Sequence, residues 1–106
     1  MRIDFNTVMR QYRKMQAEVE KAREDLAASV RVEGKAADGL VTVQANGVRE
    51  IVSVRIDPKA VDPNDVSMLE DLIAAAVNQA LAAAREKEEE AIGKITGGMK
   101  IPGLTF

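Results

Sequence analysis

The chain has 106 residues and a formal net charge of −2, which suits one domain with a modest core. It lacks His and Cys altogether. That removes disulfides, thiolate metal sites and the commonest general bases and nucleophiles at neutral pH. The acidic balance also argues against a nucleic-acid binder driven by overall positive charge.

Hydrophobic residues make up 46% of the chain but aromatic ones only 3%, namely Phe5, Tyr12 and Phe106. Ala and Val supply most of the apolar mass, so few large side chains are available for burial. Apolar surface is then left over for a partner, and self-association is expected. The sequence shows no apolar run approaching the ~20 residues of a membrane span. Its N-terminus is charged and amphipathic, unlike a signal peptide. A cytoplasmic protein without membrane contact is expected.

The first element is a helix from Asp4 to Ala28. Phe5, Val8, Met9, Tyr12, Met15, Val19, Ala22 and Leu26 recur at spacings of three and four, which places them on one helical face. Asp4 or Asn6 can supply the N-cap oxygen. A helix of this length measures roughly 35 Å and is expected to extend beyond the body of its own subunit.

The period then changes to two. Val30 and Val32 alternate with polar residues, and Gly34 to Gly39 forms a turn signal. Val41, Val43 and Ala45 alternate with Thr42 and Gln44. Asn46-Gly47 predicts a type I′ hairpin, because both residues tolerate positive φ. Val48, Val52, Val54 and Ile56 share the next face, opposite Arg49, Ser53 and Arg55. The pattern predicts a three-stranded antiparallel meander with one apolar face. Leu40 and Ile51 break it and are assigned to contact with a helix or a second subunit.

Asp57-Pro58 stops the third strand. Asp62-Pro63 is expected to start the second helix, with Asp as cap and Pro as its first residue. Ser67 and Glu70 offer a capping box slightly later. This helix is expected from Asn64 to near Ile92, with Leu69, Leu72, Ile73, Ala76, Ala80, Ala83 and Ala84 on its apolar face. Residues 1–92 then form a single α+β domain of order α-β-β-β-α. Residues 93–106, with four glycines and one proline, form a flexible tail.

No catalytic constellation is visible. Ser29 and Ser53 read as strand residues and Ser67 as a cap. Glu86, Glu88, Glu89 and Glu90 read as a solvated helical face. Gly97-Gly98 lacks the Lys-Ser/Thr helix start of a phosphate loop. No metal or cofactor is implied, and no small-molecule substrate. The positive feature is the N-terminal charge: Arg2, Arg10, Arg13 and Lys14 stand against Asp4 alone between Arg2 and Met15. Arg10, Arg13, Lys14 and Lys21, at spacings of three, four and seven, lie on the flank and back of the apolar face. Two readings fit this stripe: a solvated helix side whose stems cover the core edge, or a set of phosphate contacts with little sequence preference.

The run Asp38-Gly39-Leu40-Val41-Thr42-Val43, then Asn46-Gly47, then Val54-Arg55-Ile56-Asp57-Pro58, resembles the meander of the YbaB/EbfC nucleoid-associated proteins. The likeness continues through Met68–Ala80 and ends in Gly97-Gly98-Met99-Lys100-Ile101-Pro102-Gly103. It covers essentially the whole chain. It implies a bacterial, tweezer-like homodimer whose sheets meet and whose long helices project as arms. It further implies binding to double-stranded DNA with low sequence preference, in the nucleoid, with effects on nucleoid organisation and gene expression. The family's DNA-contacting surface, attributed to the long helices, maps here onto Arg10, Arg13, Lys14 and Lys21. Arg2, Lys94 and Lys100 are further candidates. The N-terminus begins almost at the helix, so no DNA contribution from a longer glycine-rich N-terminus is expected. The Gly, Asn and Leu/Ala positions that carry the resemblance read as turn and core chemistry, specifying fold and dimer. A protein-interaction adaptor, acting through the Ala-rich helix and apolar tail, is the alternative reading.

Overall fold

The computed structural model describes residues 4–97. The expectations for Arg2, Lys100 and the tail past Gly97 lie outside the described residues. The order is α1 (Phe5–Ser29), β1 (Arg31–Ala36), β2 (Val41–Asn46), β3 (Ile51–Ile56) and α2 (Val66–Thr96). This is the expected α-β-β-β-α arrangement. Short 3₁₀ turns at Ala37–Gly39 and Pro58–Ala60 join the longer elements.

The helix α1 starts where its cap predicts. The Asp4 carboxylate accepts from the Asn6 N–H and from the Thr7 hydroxyl, each at 3.0 Å. It satisfies a donor that the first helical turn leaves free. The start of α2 corrects the sequence expectation. Asp62 and Pro63 form a turn, with Asp62 accepting from the Asn64 N–H at 2.9 Å. Asp65 is the cap, accepting from the Met68 N–H at 3.2 Å, and Ser67 sits inside the helix. Asp65 outcompetes both earlier readings because its carboxylate reaches the third helical N–H. The helix also runs four residues past Ile92. It ends at Gly97, whose φ of 64° provides the left-handed C-terminal residue.

The sheet is ordered β1-β2-β3 and antiparallel throughout. The strand β1 is longer than expected and includes Gly34. A Cβ there would collide with the backbone carbonyl of Ala76 in α2, so Gly34 permits a close approach of helix to strand rather than a turn. The turn itself falls at Ala37–Gly39, where Ala37, Asp38 and Gly39 all take positive φ.

The β2–β3 hairpin is not the expected type I′ turn on Asn46-Gly47. Gly47 does not take positive φ; Arg49 does, at 66°. Gly47 meets a different demand. Its N–H donates to the Leu26 carbonyl at 2.9 Å, and a Cβ would lie 2.8 Å from Leu26 Cβ. The Asn46 side chain shapes the loop by accepting from the Val48 and Glu50 N–H groups, each at 3.0 Å. A bulge at Gln44/Ala45 places Ala45 opposite Ile51 instead of Val52. This explains why Ile51 breaks the alternation.

The core lies between α2 and the β1–β2 half of the sheet. Val41, Val43, Ala45, Ala76, Ala80 and Ala84 are fully buried, with Val32, Ile56, Leu69, Leu72, Ile73 and Val77 packed around them. The small Ala face permits the close helix–sheet approach that Gly34 also serves. The strand β3 is left largely uncovered: Ile51, Val52 and Val54 are 42–46% exposed. Beyond the sheet, α2 pairs with α1, and the molecule is 71 Å long but only 21 by 17 Å across.

An 18-residue window of α2 reaches a mean hydropathy of 1.2, so length and composition alone would admit a membrane span. Much of that value comes from Ala, and the helix also carries Glu70, Asp71, Asn78 and Gln79. It packs its Ala stripe against the sheet.

Candidate nucleic-acid interface

The candidate site is the outer side of α1. Val19 and Leu26 are the buried residues of this helix and mark its inward direction. At about 100° per residue, Arg10 and Lys21 fall within about 30° of the opposite, outward direction, and Lys14 about 50° to one side of it. Arg13 lies about 50° to the other side of the outward direction, as far from the inward side as Lys14. All four are exposed, and among the described residues no carboxylate lies within ion-pair distance of any of them. Ala17 fills the gap between Lys14 and Lys21, while Glu18 and Glu20 project to the two flanks. The outward line Arg10, Lys14, Ala17, Lys21 is therefore free of anions for about 17 Å. The fold brings these three cations together because they alternate between three- and four-residue steps from the same face.

Arg23 behaves differently. It lies near the inward face, and its Nε is buried without a hydrogen-bond partner among the described residues. It does not extend the outward stripe.

The distal part of α2 has the opposite character. Glu86, Glu89 and Glu90 are exposed. Lys94, a sequence candidate, is 3.7 Å from Glu90, and Arg85 is 2.9 Å from Glu89. Both pairs are solvent-exposed, one turn apart on the helix, and contribute little to stability. Their charge is nevertheless locally offset, so Lys94 is a weaker electrostatic candidate than the α1 stripe. Glu88 corrects the expectation of a solvated acidic face. It is 2% exposed and lies 3.2 Å from Arg49. The reason is periodic: Ala76, Ala80, Ala84, Glu88, Ile92 and Thr96 form one i, i+4 line, and all are buried.

A second basic surface lies on the open face of the sheet and was not assigned from the sequence. Lys35, Thr42 and Arg55 stand in one cross-strand row. Lys35 is 3.7 Å from Glu33. Arg31 sits two residues before Glu33 and donates to the Ala27 and Val30 carbonyls, each at 2.9 Å. Here cations, an anion and neutral polar groups are mixed, whereas the outward line of α1 from Arg10 to Lys21 presents cations and Ala17, with Glu24 following one turn on. The strand alternation that exposes Arg31, Lys35 and Arg55 was the available signal.

Comparison with known proteins agrees with this architecture. Residues 1–99 match the YbaB/EbfC DNA-binding family. A protein of Myxococcus xanthus named nucleoid-associated protein is 52% identical over 103 residues, covering 97% of each chain. One of Alkaliphilus metalliredigens with the same name is 46% identical over 101 residues, covering 95% of this chain and 88% of its own. The crystal structure of an uncharacterized protein from Helicobacter pylori superposes with a TM-score of 0.79. It covers 91% of this chain and 100% of that one, at 22% identity, and so shares the fold. On the strength of the whole-chain match, the chain belongs to the YbaB/EbfC DNA-binding family.

Proposed function

We propose that the protein is a nucleoid-associated protein that binds double-stranded DNA as a homodimer, with low sequence preference, through the outward face of α1. It acts by binding and not by catalysis. The observation that carries this reading is the uninterrupted outward line of Arg10, Lys14 and Lys21, opposite the buried Val19 and Leu26. Unpaired cations on a rigid helix, spaced over about three turns, suit a run of phosphates. Family membership and the names of the relatives support DNA as the partner.

Low sequence preference follows from the chemistry. Phosphate contacts position a protein on the duplex without reading it. The scarcity of aromatic side chains also leaves little for stacking on single-stranded bases. The acidic total charge is compatible with this, because the anions lie on α2, on the loops and sheet, and on α1 at the flanks and beyond Lys21, leaving the Arg10–Lys21 line free of them. They restrain the affinity and restrict DNA to one side of each arm.

The homodimer is supported by β3. This edge strand presents Ile51, Val52 and Val54 to solvent, and an exposed apolar edge is a site for pairing with another chain. Two copies joined there project two helical arms from one body. Contacts by both arms would bend or bridge the duplex, and through that affect nucleoid organisation and gene expression from the cytoplasm.

The experiment is a titration of labelled duplex DNA at several salt concentrations. The reading expects binding at low salt that weakens steeply as salt rises. Absence of binding at low salt, or an affinity independent of salt, would contradict it.

A further inference from the structure

The α2 helix has two partners. Up to Ala84 its buried face packs on the sheet; beyond Ala84 the same line stays buried at Glu88, Ile92 and Thr96, and α2 also packs against α1. Glu88 is the first buried position after the sheet ends. A carboxylate 2% exposed is unusual there, since burying a charge is costly without a partner. Its partner is Arg49, whose Nε lies 3.2 Å from Glu88 Oε1. No N–H is aligned on that oxygen, which has no hydrogen bond among the described residues. Attraction between charges holds the pair, and a leucine at this place would bury more simply.

Arg49 is itself unusual. It occupies the left-handed region at φ 66°, where a side chain other than Gly or Asn is disfavoured. Its N–H closes the hairpin turn by donating to the Asn46 carbonyl at 3.2 Å. The Asn46 side chain donates to the Glu50 carboxylate at 2.8 Å and accepts two backbone N–H groups. The same turn grips α1 through Gly47 and the Leu26 carbonyl. One rigid loop thus touches both helices at the level where they leave the sheet.

We propose that the Arg49–Glu88 pair is a positioning device: it fixes the angle at which the helical arm leaves the body, and so where the α1 cations meet DNA. Arg49 and Glu88 are positioning residues, and neither needs to touch the duplex. The proposal rests on the reading of α1 as the DNA-contacting surface for its functional half. Its structural half stands without DNA.

The chain has no cysteine, so spin labels can be placed at Tyr12→Cys on the arm and Lys59→Cys on the body. Diluting labelled with excess unlabelled chain confines the measured distances to one subunit. Two variants are compared with the parent. Glu88→Gln keeps the shape and removes the charge. Arg49→Gly removes the guanidinium while relieving the backbone, since Gly accepts φ 66° freely. A role for Arg49 in the turn alone therefore predicts no loss in Arg49→Gly. We expect both variants to broaden or shift the arm-to-body distance distribution, and to lower duplex affinity on the order of tenfold with the salt slope unchanged, because every α1 cation assigned to DNA remains. A parent-like distance distribution in both variants overturns the proposal, even if thermal stability falls. Should Arg49→Gly fail to fold, Glu88→Gln alone decides it. A parent chain that fails to bind duplex overturns the functional reading, while the distance measurement still tests the device.

Discussion

Replacing Arg10, Lys14 and Lys21 together with Ala tests the interface quantitatively. All three are exposed and unpaired among the described residues, and Ala is the best helix former. The change to folding stability should be within about 0.5 kcal/mol per site, and helix content should stay the same. The effect on DNA binding follows from counterion release. Each lost phosphate contact reduces the slope of log affinity against log salt by about 0.9. Three contacts from one arm correspond to a change of about 2.7 in slope, and six contacts from two arms to about 5. For the parent chain with both arms engaged, these residues alone then account for about a thousandfold loss of affinity between 50 and 200 mM salt. The assay is fluorescence anisotropy of a labelled duplex at four or five salt concentrations, with circular dichroism to check the fold. The size of the slope change counts the arms in contact. A variant with the parent's affinity and the parent's slope would refute the assignment of DNA to this face.

The other predictions concern the frame that presents this face. Val54→Asp places a charge on the uncovered strand β3, where the parent side chain is 46% exposed. The subunit should stay folded but sediment as a monomer at micromolar concentration; an intact dimer would remove β3 from the interface. Gly34→Ala drives a methyl group into the α2 backbone at Ala76 and should cost about 1–3 kcal/mol in chemical denaturation. An unchanged unfolding midpoint would mean that helix and strand separate without penalty. Asp65→Ala removes the α2 cap and should cost about 1 kcal/mol, whereas Ser67→Ala should cost much less. The reverse order in thermal melts would restore Ser67 as the cap.

The sequence disclosed periodic features well and close approaches poorly. The α1 helix was legible from Asp4 onward because its apolar residues hold one face for about six turns and its cap is local. The meander was legible from alternation. The misread places are those where a residue answers to a distant neighbour. Gly34 and Gly47 look like turn glycines, yet one clears the Ala76 carbonyl and the other clears Leu26. Glu88 looks like one of four surface carboxylates, yet it continues the Ala76, Ala80, Ala84 line. That line was present in the sequence, and following it past Ala84 would have found Glu88. Asp62-Pro63 looks like a helix start, but Asp65 captures the N–H groups first. At the candidate interface, the outward grouping of Arg10, Lys14 and Lys21 was legible from spacing. The local offset of Lys94 by Glu90 is an i, i+4 pair that appears once α2 continues past Ile92 to Thr96, and the burial of the Arg23 Nε required the packed structure.

The central claim is that duplex DNA lies along the outward face of α1. Amide chemical-shift perturbation on adding a short duplex tests it residue by residue. The account predicts the largest changes between residues 10 and 21, clustered at Arg10, Lys14 and Lys21, with the acidic face of α2 little affected. Changes centred instead on Arg31, Lys35 and Arg55, across the open face of the sheet, would contradict it.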